Sequence, residues 1–571
     1  GPFALASGPS YFCIMNMIED VWQTRYCHPT QWDQAFAPLT LPDMFLGAAQ
    51  RHPDAPFLDF LGRRYSYAAV AKAVRHAAAG FEALGIQPGD RVGLFLPNVP
   101  HYVAAYYGAL LAGAIVVNFS PLYTVDELAA QARDSGTKLI VSLSAAALLP
   151  TAMKVLETGA IERLVVGSIA GVLPPLKSIA YRLLKRRETA PLPGDARVTR
   201  FSQLLANDGA CSAPPPKPED VALIQYTGGT AGTPKGAMLT HQNLTANARQ
   251  VHAIDPGTAD GDRIVGVLPF FHVFANTCVL NRTVVAGGQI AMLPRFDAKA
   301  TLQTIARVKA TALPGVPTMY QALLDRPETA HTDFSSLRVC ISGGAPLPAE
   351  VEQRFESVTG AKLIEGYGLT ESAGVISTNP YEGEGKSGTI GQPLPGTRIR
   401  LLDREDPTKL APKGEPGELA FAGPQTMKGY WNRPEADAEV FQDGWLRTGD
   451  VAQIDADGFV RIVDRLKDMI AVGGFKVFPS VVEAQLYKHP AVKEAIVIGS
   501  PDRYSGEKPK AFVTLQPGAS DTGEAILSWL NPLLGKHERV IAVEVRDSLP
   551  KTLVGKLSRK ELVAEEKAKA A

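Results

Sequence analysis

The sequence predicts an α/β fold in which a large N-terminal portion with several subdomains precedes a small α+β domain. Short apolar runs rich in β-branched residues, such as 91–96, 139–142 and 221–226, alternate with alanine-rich segments of helical period such as 67–84. Strands that alternate with helices favour a mostly parallel sheet covered by helices. After Asp450 the pattern changes to short strands separated by turn signals.

Two changes of composition indicate the domain boundaries. The segment 213–220 is rich in proline, which favours extended backbone, and an apolar strand follows it, so we expect a subdomain seam there. The region after Asp450 contains a turn signal at 455–458, and a compact βα pattern runs from about 467 to 562. We therefore predict an N-terminal domain at 1–466 and a C-terminal domain at 467–571.

The charge and cysteine content exclude several classes of protein. The 571 residues hold 58 Lys and Arg against 58 Asp and Glu, so no global field attracts a nucleic acid. The five cysteines include no C-x-x-C pair, which argues against a zinc site and a disulfide framework and fits a reducing compartment. No basic region precedes an apolar run at the N-terminus, which argues against a secretory signal. We expect a cytoplasmic protein.

Two segments bear on contact with membranes. Residues 98–125 carry no Asp, Glu, Lys or Arg, but Pro100, Asn118 and Pro121 interrupt them, so we predict a buried helix followed by a buried strand. Residues 172–187 place Leu and Ile at helical spacing beside five basic residues, a composition typical of an interfacial helix. Two alternatives stay open for this helix: peripheral contact with the inner face of the plasma membrane, or packing on its own domain.

The strongest chemical signal is the loop Tyr226-Thr-Gly-Gly-Thr-Ala-Gly-Thr-Pro-Lys-Gly236, which follows a strand and precedes a helix expected to begin near Thr240. Glycines permit close approach of backbone N–H groups to an anion, threonines add hydroxyl donors, and Lys235 adds a positive charge, a combination that suits a polyphosphate. The loop is not a Walker motif, because Lys235 lies between Pro234 and Gly236. A kinase or GTPase is therefore disfavoured.

Five further motifs follow this loop in order along the chain. They lie at 342–346, 365–371, 444–450, 462–470 and 550–556, and the loop itself continues to 241. Together the six motifs resemble the adenylate-forming superfamily of acyl-CoA synthetases, adenylation domains and firefly luciferase, over nearly the whole chain. Segments such as 121–123 and 423–427 are similar to bacterial long-chain fatty acid–CoA ligases in particular.

The resemblance implies an ATP-dependent ligase with Mg²⁺ and CoA. A carboxylate has a poor leaving group, so in this family it attacks the α-phosphorus of ATP, expels pyrophosphate and becomes an acyl-adenylate. The thiol of CoA then attacks the carbonyl and releases AMP. Both steps bring anions together, which requires cations and N–H donors held where charge develops. The implied substrate is a fatty acid of medium to long chain.

The resemblance also implies a nucleotide site. In this family the first loop and its lysine hold the β and γ phosphates, and here these residues are Thr227, Gly228, Gly229, Thr230 and Lys235. Glu371 is the implied Mg²⁺ ligand, Asp450 would accept both ribose hydroxyls, and Arg465 is a second ribose contact. Gly344, Ala345 and Tyr367 are implied to frame adenine. The other implied nucleotide contacts are Pro346, Glu365, Gly366, Gly368, Thr370 and Ile462.

Lys556 is the implied adenylation lysine, whose charge would bridge the attacking carboxylate and the α-phosphate. Lys551 is the less favoured candidate for that role. His272 resembles the family residue near the acyl carboxylate, with a satisfied buried histidine as the alternative. Thr370 and Glu371 complete the implied catalytic set.

A domain rotation is the last implication of the resemblance. Lys467 matches the hinge about which the small, mobile C-terminal domain turns after adenylation, bringing Gly473 and Gly474 to the CoA thiol tunnel. Such gating keeps water from the acyl-adenylate. Phe274 and Gly315 are implied walls of an apolar acyl tunnel.

Three rival functions stay open at this point. They are a ligase that hands its product to a carrier protein, a luciferase-like oxygenase, and a non-catalytic lipid-binding or transport-associated membrane protein. The joint presence of Lys556, Glu371 and Asp450 favours catalysis. Acyl chain length and oligomeric state, monomer or homodimer, also stay open.

Overall fold

The structure is a computed structural model that describes residues 21–227, 233–255, 257, 261–473, 475–551 and 557–570. Within these limits the chain forms two compact units. The described residues within 1–227, 235–398 and 422–444 make up the first unit, and those within 228–234, 399–421 and 445–571 make up the second.

The strands of the described residues are numbered in chain order. They are β1 (Pro56–Phe60), β2 (Arg63–Ser66), β3 (Arg91–Phe95), β4 (Ile115–Phe119), β5 (Thr137–Leu143), β6 (Arg163–Gly167), β7 (Val198–Arg200), β8 (Val221–Tyr226), β9 (Gly236–Thr240), β10 (Arg263–Gly266), β11 (Gln289–Met292), β12 (Val339–Ser342), β13 (Lys362–Tyr367), β14 (Ser377–Thr378), β15 (Gln392–Pro393), β16 (Arg398–Leu402), β17 (Gly417–Ala422), β18 (Gly429–Tyr430), β19 (Phe441–Gln442), β20 (Trp445–Ile454), β21 (Val460–Arg465), β22 (Ile470–Val472), β23 (Phe475–Val477), β24 (Val492–Asp502), β25 (Gly506–Leu515) and β26 (Val543–Val545).

The α-helices are numbered in the same way. They are α1 (Leu41–Arg51), α2 (Tyr67–Ala83), α3 (Pro100–Leu111), α4 (Val125–Ser135), α5 (Leu149–Glu157), α6 (Pro175–Leu184), α7 (Phe201–Leu204), α8 (His241–Ala253), α9 (Val273–Ala275), α10 (Arg282–Ala286), α11 (Ala298–Val308), α12 (Pro317–Leu324), α13 (Ala349–Thr359), α14 (Pro434–Val440), α15 (Pro479–Leu486), α16 (Gly523–Leu530) and α17 (Lys560–Ala570).

An eight-stranded sheet lies at the centre of the first unit, in the order β18-β9-β8-β4-β3-β5-β6-β7. The six strands from β8 to β7 in this order are parallel, and β9 and β18 are antiparallel to their neighbours. The apolar runs at 91–96, 139–142 and 221–226 form β3, β5 and β8. The prediction of an α/β fold with mostly parallel strands is confirmed.

Local sequence explains where the helices around this sheet begin and end. Thr124 and Glu127 form a capping box at the start of α4, and Gly136 ends that helix with a φ of 64°. The uncharged segment at 98–125 forms α3, buried from Pro100 to Leu110, followed by the buried strand β4, as predicted. Among the described residues, no helix combines the length and apolar character needed to cross a bilayer.

Two smaller four-stranded sheets complete the first unit. Their orders are β10-β11-β1-β2 and β12-β13-β14-β15. Strands β12 and β13 are parallel, so their carboxyl ends lie at the same edge. The loops that leave this edge contain the motifs at 342–346 and 365–371.

The second unit contains two sheets of its own. Strands β16, β17, β20 and β21 form one, and the other has the order β23-β22-β25-β24 with β26 beside β25. Helices α15 and α16 bury Val482, Leu486, Ile526 and Leu530 against this second sheet. The turn predicted at 455–458 joins β20 to β21. The predicted hinge residue Lys467 lies in a short 3-10 turn, Leu466–Asp468, between the two sheets.

Candidate active site

The glycine- and threonine-rich loop joins two antiparallel strands. Tyr226 on β8 pairs with Gly236 on β9, and the Thr227 N–H donates to the Lys235 carbonyl at 2.9 Å. The Lys235 N–H in turn donates to the Thr227 hydroxyl oxygen at 3.3 Å. The predicted phosphate contacts Gly228, Gly229 and Thr230 lie outside the described residues.

One strand next to this loop was not predicted. The helix expected near Thr240 is α8, which begins at His241 with Thr240 as its N-cap, but strand β9 lies between the loop and this helix. The residues 236–240 are extended because they pair with β8 on one side and with β18 on the other. Anion binding by the loop would therefore depend on its own N–H groups and Lys235, without help from a helix N-terminus.

Tyr430 connects Lys235 with Glu371. Its hydroxyl donates to Glu371 Oε1 at 2.6 Å, and Lys235 Nζ lies 5.0 Å from the centre of its ring. Burial, reinforced by the negative charge of Glu371, raises the pKa of Tyr430, so the hydroxyl keeps its proton and remains a donor. Pairing of β18 with β9 holds Tyr430 opposite Ala237, next to the loop.

Tyr430 is not among the site residues predicted from the sequence. The tyrosine lies three residues after the segment 423–427, whose similarity to fatty acid–CoA ligases did not extend to it. The neighbouring N–H of Met427 donates to the Glu371 carbonyl at 2.9 Å, so the same segment holds both the backbone and the side chain of Glu371.

A second set of contacts anchors this segment to Asp134. The Arg433 guanidinium lies 2.6 Å from Asp134, and the Tyr226 hydroxyl donates to the other Asp134 oxygen at 2.6 Å. The indole N–H of Trp431 donates to the Asp134 carbonyl at 3.1 Å. Asp134 thus ties the last residue of β8 to the segment that carries Tyr430.

Glu371 is the carboxylate of this site that could hold Mg²⁺. It lies in the short 3-10 turn Thr370–Ser372, where the Ser372 hydroxyl accepts a hydrogen bond from the Leu369 N–H. Its second oxygen, Oε2, has no hydrogen-bond partner among the described residues. No group of three or more metal-binding side chains occurs in the part of the chain that the structure describes. One carboxylate is nevertheless enough, since Mg²⁺ in nucleotide sites takes one or two carboxylates together with substrate phosphates and water.

The two predicted adenine motifs lie together at one edge of the β12–β13 sheet. Gly344, Ala345 and Pro346 follow β12, and Gly344 has a φ of 79°, which favours glycine. Glu365, Gly366 and Tyr367 belong to the end of β13. A Cβ at Gly368 would lie 2.0 Å from the Gly374 carbonyl oxygen, so only glycine fits where the segment after β13 folds back on itself.

The predicted acyl residues cluster beside the first adenine motif. The ring of Phe274 packs on Gly343, where an added Cβ would lie 2.9 Å from Phe274 Cε1. The Gly343 N–H donates to the Gly315 carbonyl at 3.1 Å, so Phe274 and Gly315 meet at the same loop. His272 caps α9, and its Nδ1 accepts the Phe274 N–H at 3.3 Å. Removal of water by the surrounding protein lowers the pKa of His272 to about 4, so it is neutral at pH 7.

A buried polar chain connects this acyl region with the phosphate loop. The Tyr102 hydroxyl contacts the Phe270 carbonyl at 3.0 Å and Asn118 Oδ1 at 2.7 Å. The Asn118 amide donates to Gln225 Oε1 at 3.0 Å, and Gln225 precedes Tyr226 at the end of β8. All of these side chains are buried, so their polar atoms depend on one another for hydrogen bonds.

The predicted ribose residues form an ion pair in the second unit. Asp450 on β20 is directly opposite Arg465 on β21, and Arg465 Nε lies 2.9 Å from Asp450 Oδ1. The Asp450 carboxylate is buried, whereas the Arg465 side chain is 30% exposed. Ile462 lies on the same strand, opposite Ala452.

Residues beside Lys467 are tied to the helices of the second unit. Arg559 contacts Asp468 Oδ2 at 3.3 Å and Glu483 Oε1 at 2.5 Å. On the other side of Lys467, the Ser480 hydroxyl donates to Asp464 Oδ2 at 2.9 Å. Lys467 itself is exposed.

The remaining predicted residues lie near the end of the second unit. Gly473 is at the tip of the β22–β23 hairpin with a φ of 55° and donates its N–H to the Ser505 carbonyl at 2.8 Å. Gly474 and Lys556 lie outside the described residues. Lys551, the alternative lysine, is paired with Glu494 at 2.6 Å.

Comparison with known proteins identifies the family of the chain. Residues 45–431 match the family described as AMP-binding enzyme, and residues 481–556 match the AMP-binding enzyme C-terminal domain. The chain is 40% identical over 550 residues to a long-chain-fatty-acid–CoA ligase of Bacillus subtilis, covering 95% of this chain and 98% of that protein. It is 38% identical over 567 residues to a long-chain-fatty-acid–CoA ligase of Escherichia coli O157:H7, covering 97% and 99%.

Two solved structures show the same fold. The crystal structure of ATP-bound MatB from Rhodopseudomonas palustris has a TM-score of 0.82 at 28% identity and covers 93% of this chain and 100% of that one. The anthranilate CoA ligase AuaEII in complex with anthranoyl-AMP has a TM-score of 0.81 at 27% identity, covering 94% and 99%. The resemblance inferred from the six motifs is confirmed, and the chain belongs to the AMP-binding enzyme family.

Proposed function

We propose that this protein activates a fatty acid with ATP and transfers the acyl group to CoA, releasing pyrophosphate and AMP. The observation that carries the proposal is the contact of Tyr430 with both Glu371 and Lys235. It brings a carboxylate that could hold Mg²⁺ and a cation that could hold phosphate to one buried tyrosine. The relatives named long-chain-fatty-acid–CoA ligase, at 38 to 40% identity over nearly the whole chain, support the choice of a fatty acid.

The reaction proceeds in two steps. A carboxylate oxygen of the fatty acid bonds to the α-phosphorus of ATP while the bond to pyrophosphate breaks. The sulfur of CoA then bonds to the acyl carbonyl carbon, the bond to AMP breaks, and the thiol proton leaves to solvent. Mg²⁺ held by Glu371 would neutralise phosphate charge when bound.

The chain's own residues divide the remaining tasks. Lys235 would hold the β and γ phosphates, Asp450 and Arg465 the ribose, and Lys556 would bridge the carboxylate and the α-phosphate during adenylation. His272, neutral at pH 7 because its pKa is about 4, would orient the carboxylate by hydrogen bonding without competing for its charge.

The C-terminal domain, 467–571, would turn about Lys467 between the two steps. The turn would withdraw Lys556 and bring Gly473 and Gly474 to the thiol. Lys467 lies in a short turn between two sheets, a position in which a few backbone angles can absorb a rotation.

The substrate should be a fatty acid of medium to long chain, and the number of its carbon atoms should determine how tightly it binds. Each buried CH₂ contributes about 0.8 kcal/mol, or roughly fourfold in KM. A series of fatty acids should therefore show a steady fall in KM until the tunnel is full, followed by a sharp break.

We also propose that the enzyme is cytoplasmic and makes peripheral contact with the inner face of the plasma membrane through residues 172–187. The cysteine usage of the chain and the composition of this segment support the proposal.

Exchange of labelled pyrophosphate into ATP, dependent on a fatty acid, tests the first half-reaction separately from the second. Lys556→Ala should abolish exchange and leave attack of CoA on preformed acyl-adenylate largely intact. Lys551→Ala is the matched control and should retain exchange, because Lys551 is already paired with Glu494. Equal loss of both half-reactions in Lys556→Ala would contradict its role, and formation of ADP in place of AMP would overturn the proposed function.

A further inference from the structure

Helix α6 exposes its apolar face to solvent. None of its residues is buried, and Leu176, Ile179, Leu183 and Leu184 are 83%, 57%, 61% and 81% exposed. At 100° per residue these four side chains lie within one 140° sector of the helix, so they form a single stripe. We call this stripe the α6 apolar face.

Polar groups hold the helix on its domain. The Ser178 hydroxyl donates to the Ala170 carbonyl at 2.7 Å, and Lys177 Nζ donates to the Leu61 carbonyl at 2.6 Å. An amphipathic surface helix ordinarily does the reverse and turns its leucines toward the core. The helix is thus held on its domain by hydrogen bonds, and its leucines and Ile179 remain exposed.

The end of α6 carries a cluster of positive charge. Residues 172–188 contain five basic side chains and one acidic side chain. Lys185 is paired with Glu188, whereas Arg182, Arg186 and Arg187 make no ion pair with any residue in the part of the chain that the structure describes. These three guanidinium groups are available to an anionic partner.

A cavity opens beside the same charges. Its volume is about 320 Å³, and two of the three arginines, Arg182 and Arg186, line it. Side chains with hydroxyl groups complete the polar part of the wall: Ser144, Ser168, Tyr181 and Thr189. Two guanidinium groups with hydroxyls around them suit a phosphate ester.

We propose that α6 docks on a membrane of acidic phospholipid, with the α6 apolar face inserted among the acyl chains and a lipid phosphate held in the cavity by Arg182 and Arg186. The inference rests on the membrane contact included in the proposed function and names the lipid and the groups that bind it. The leucines match the acyl-chain layer of a lipid surface, and the arginines beside them match its anionic headgroup layer. A purely apolar protein partner would not require the arginines. Docking there would place the enzyme at the phase in which a long-chain fatty acid dissolves.

Co-sedimentation of the full chain with lipid vesicles tests the proposal. The vesicles contain phosphatidylcholine alone or phosphatidylcholine with phosphatidylglycerol, at low and at high salt. The wild type should bind the mixed vesicles and bind the neutral vesicles far more weakly. Each basic side chain near an anionic surface is worth about 1 kcal/mol, so Arg182→Gln with Arg186→Gln should lower the partition coefficient about 25-fold at low salt.

A second variant tests the apolar face. Leu176→Ser, Leu183→Ser and Leu184→Ser together should abolish binding at high salt, where the charges are screened. The control for the leucines is Val358→Ser on α13, which is 46% exposed, and the control for the arginines is Lys72→Gln with Lys154→Gln on α2 and α5. Both controls should bind as the wild type does.

The proposal is overturned if the α6 variants bind mixed vesicles like the wild type, or if binding does not depend on phosphatidylglycerol. It is also overturned if the serine variant converts a dimer to a monomer in sedimentation while vesicle binding persists, because α6 would then join two copies. The fatty-acid-dependent exchange reaction, measured without vesicles, should be unchanged in all of these variants. Absence of exchange in the wild type would contradict the proposed function and leave the vesicle result standing.

Discussion

Tyr430→Phe is the most direct test of how the site is built. The substitution removes the hydroxyl that donates to Glu371 and keeps the ring that faces Lys235. A hydrogen bond to a charged group contributes about 1.5 to 3 kcal/mol, and buried Tyr430 leaves little access for a replacing water. If the bond orients Glu371 toward Mg²⁺ and ATP, kcat/KM for ATP should fall roughly 10- to 150-fold.

The assay is pyrophosphate exchange measured over a Mg²⁺ titration. Tyr430→Phe should require more Mg²⁺ for half-maximal exchange, because the metal must now order a mobile carboxylate. Tyr430→Leu also removes the ring and should lose a further factor of about 2 to 5, the value of a cation–π contact at a partly exposed site.

Tyr107→Phe provides the control for a lost buried hydroxyl. Tyr107 donates to Asn281 at 2.6 Å, far from the motifs in sequence, and is fully buried. It should lower the melting temperature without moving the Mg²⁺ midpoint. A Tyr430→Phe enzyme whose Mg²⁺ midpoint and kcat/KM stay within a factor of two of wild type would refute the positioning role.

Three further outcomes are expected. Burial lowers the pKa of His101 to about 4, so protonation of this side chain favours the unfolded state. The free energy of unfolding should therefore fall as the pH drops from 6.5 toward 4, by roughly 1.4 kcal/mol per pH unit for this group. Chemical denaturation of His101→Phe should show a shallower slope over that range, and an unchanged slope would contradict the assignment. Gly368→Ala should impair ATP binding because its Cβ would overlap the Gly374 carbonyl, whereas Gly194→Ala, with open space around it, should bind ATP normally in calorimetry. Arg465→Gln removes the guanidinium 2.9 Å from Asp450 and should raise KM for ATP by about tenfold, with kcat less affected, whereas an unchanged KM would argue against a ribose contact.

The sequence alone predicted those features that depend on neighbours in the chain. The loop 226–236, the buried helix and strand in 98–125, and the alternation of strands and helices are all encoded within short windows. The six motifs were sufficient to identify the family, because each retains the glycines and charged side chains that its local backbone needs. Strand β9 was not predicted, because its residues, 236–240, pair on both sides with strands whose positions the local pattern does not report.

The tertiary structure decided which of these residues meet and which way a face points. Tyr430 and Glu371 are 59 residues apart in sequence, and their contact arises because β18 adds to the edge of the central sheet beside β9. The composition of 172–187 predicted an amphipathic helix, but only the fold shows that its leucines face solvent and that Lys177 and Ser178 bond to the domain. Periodicity determines that two faces differ, whereas the free energy of packing the whole chain determines which face remains uncovered.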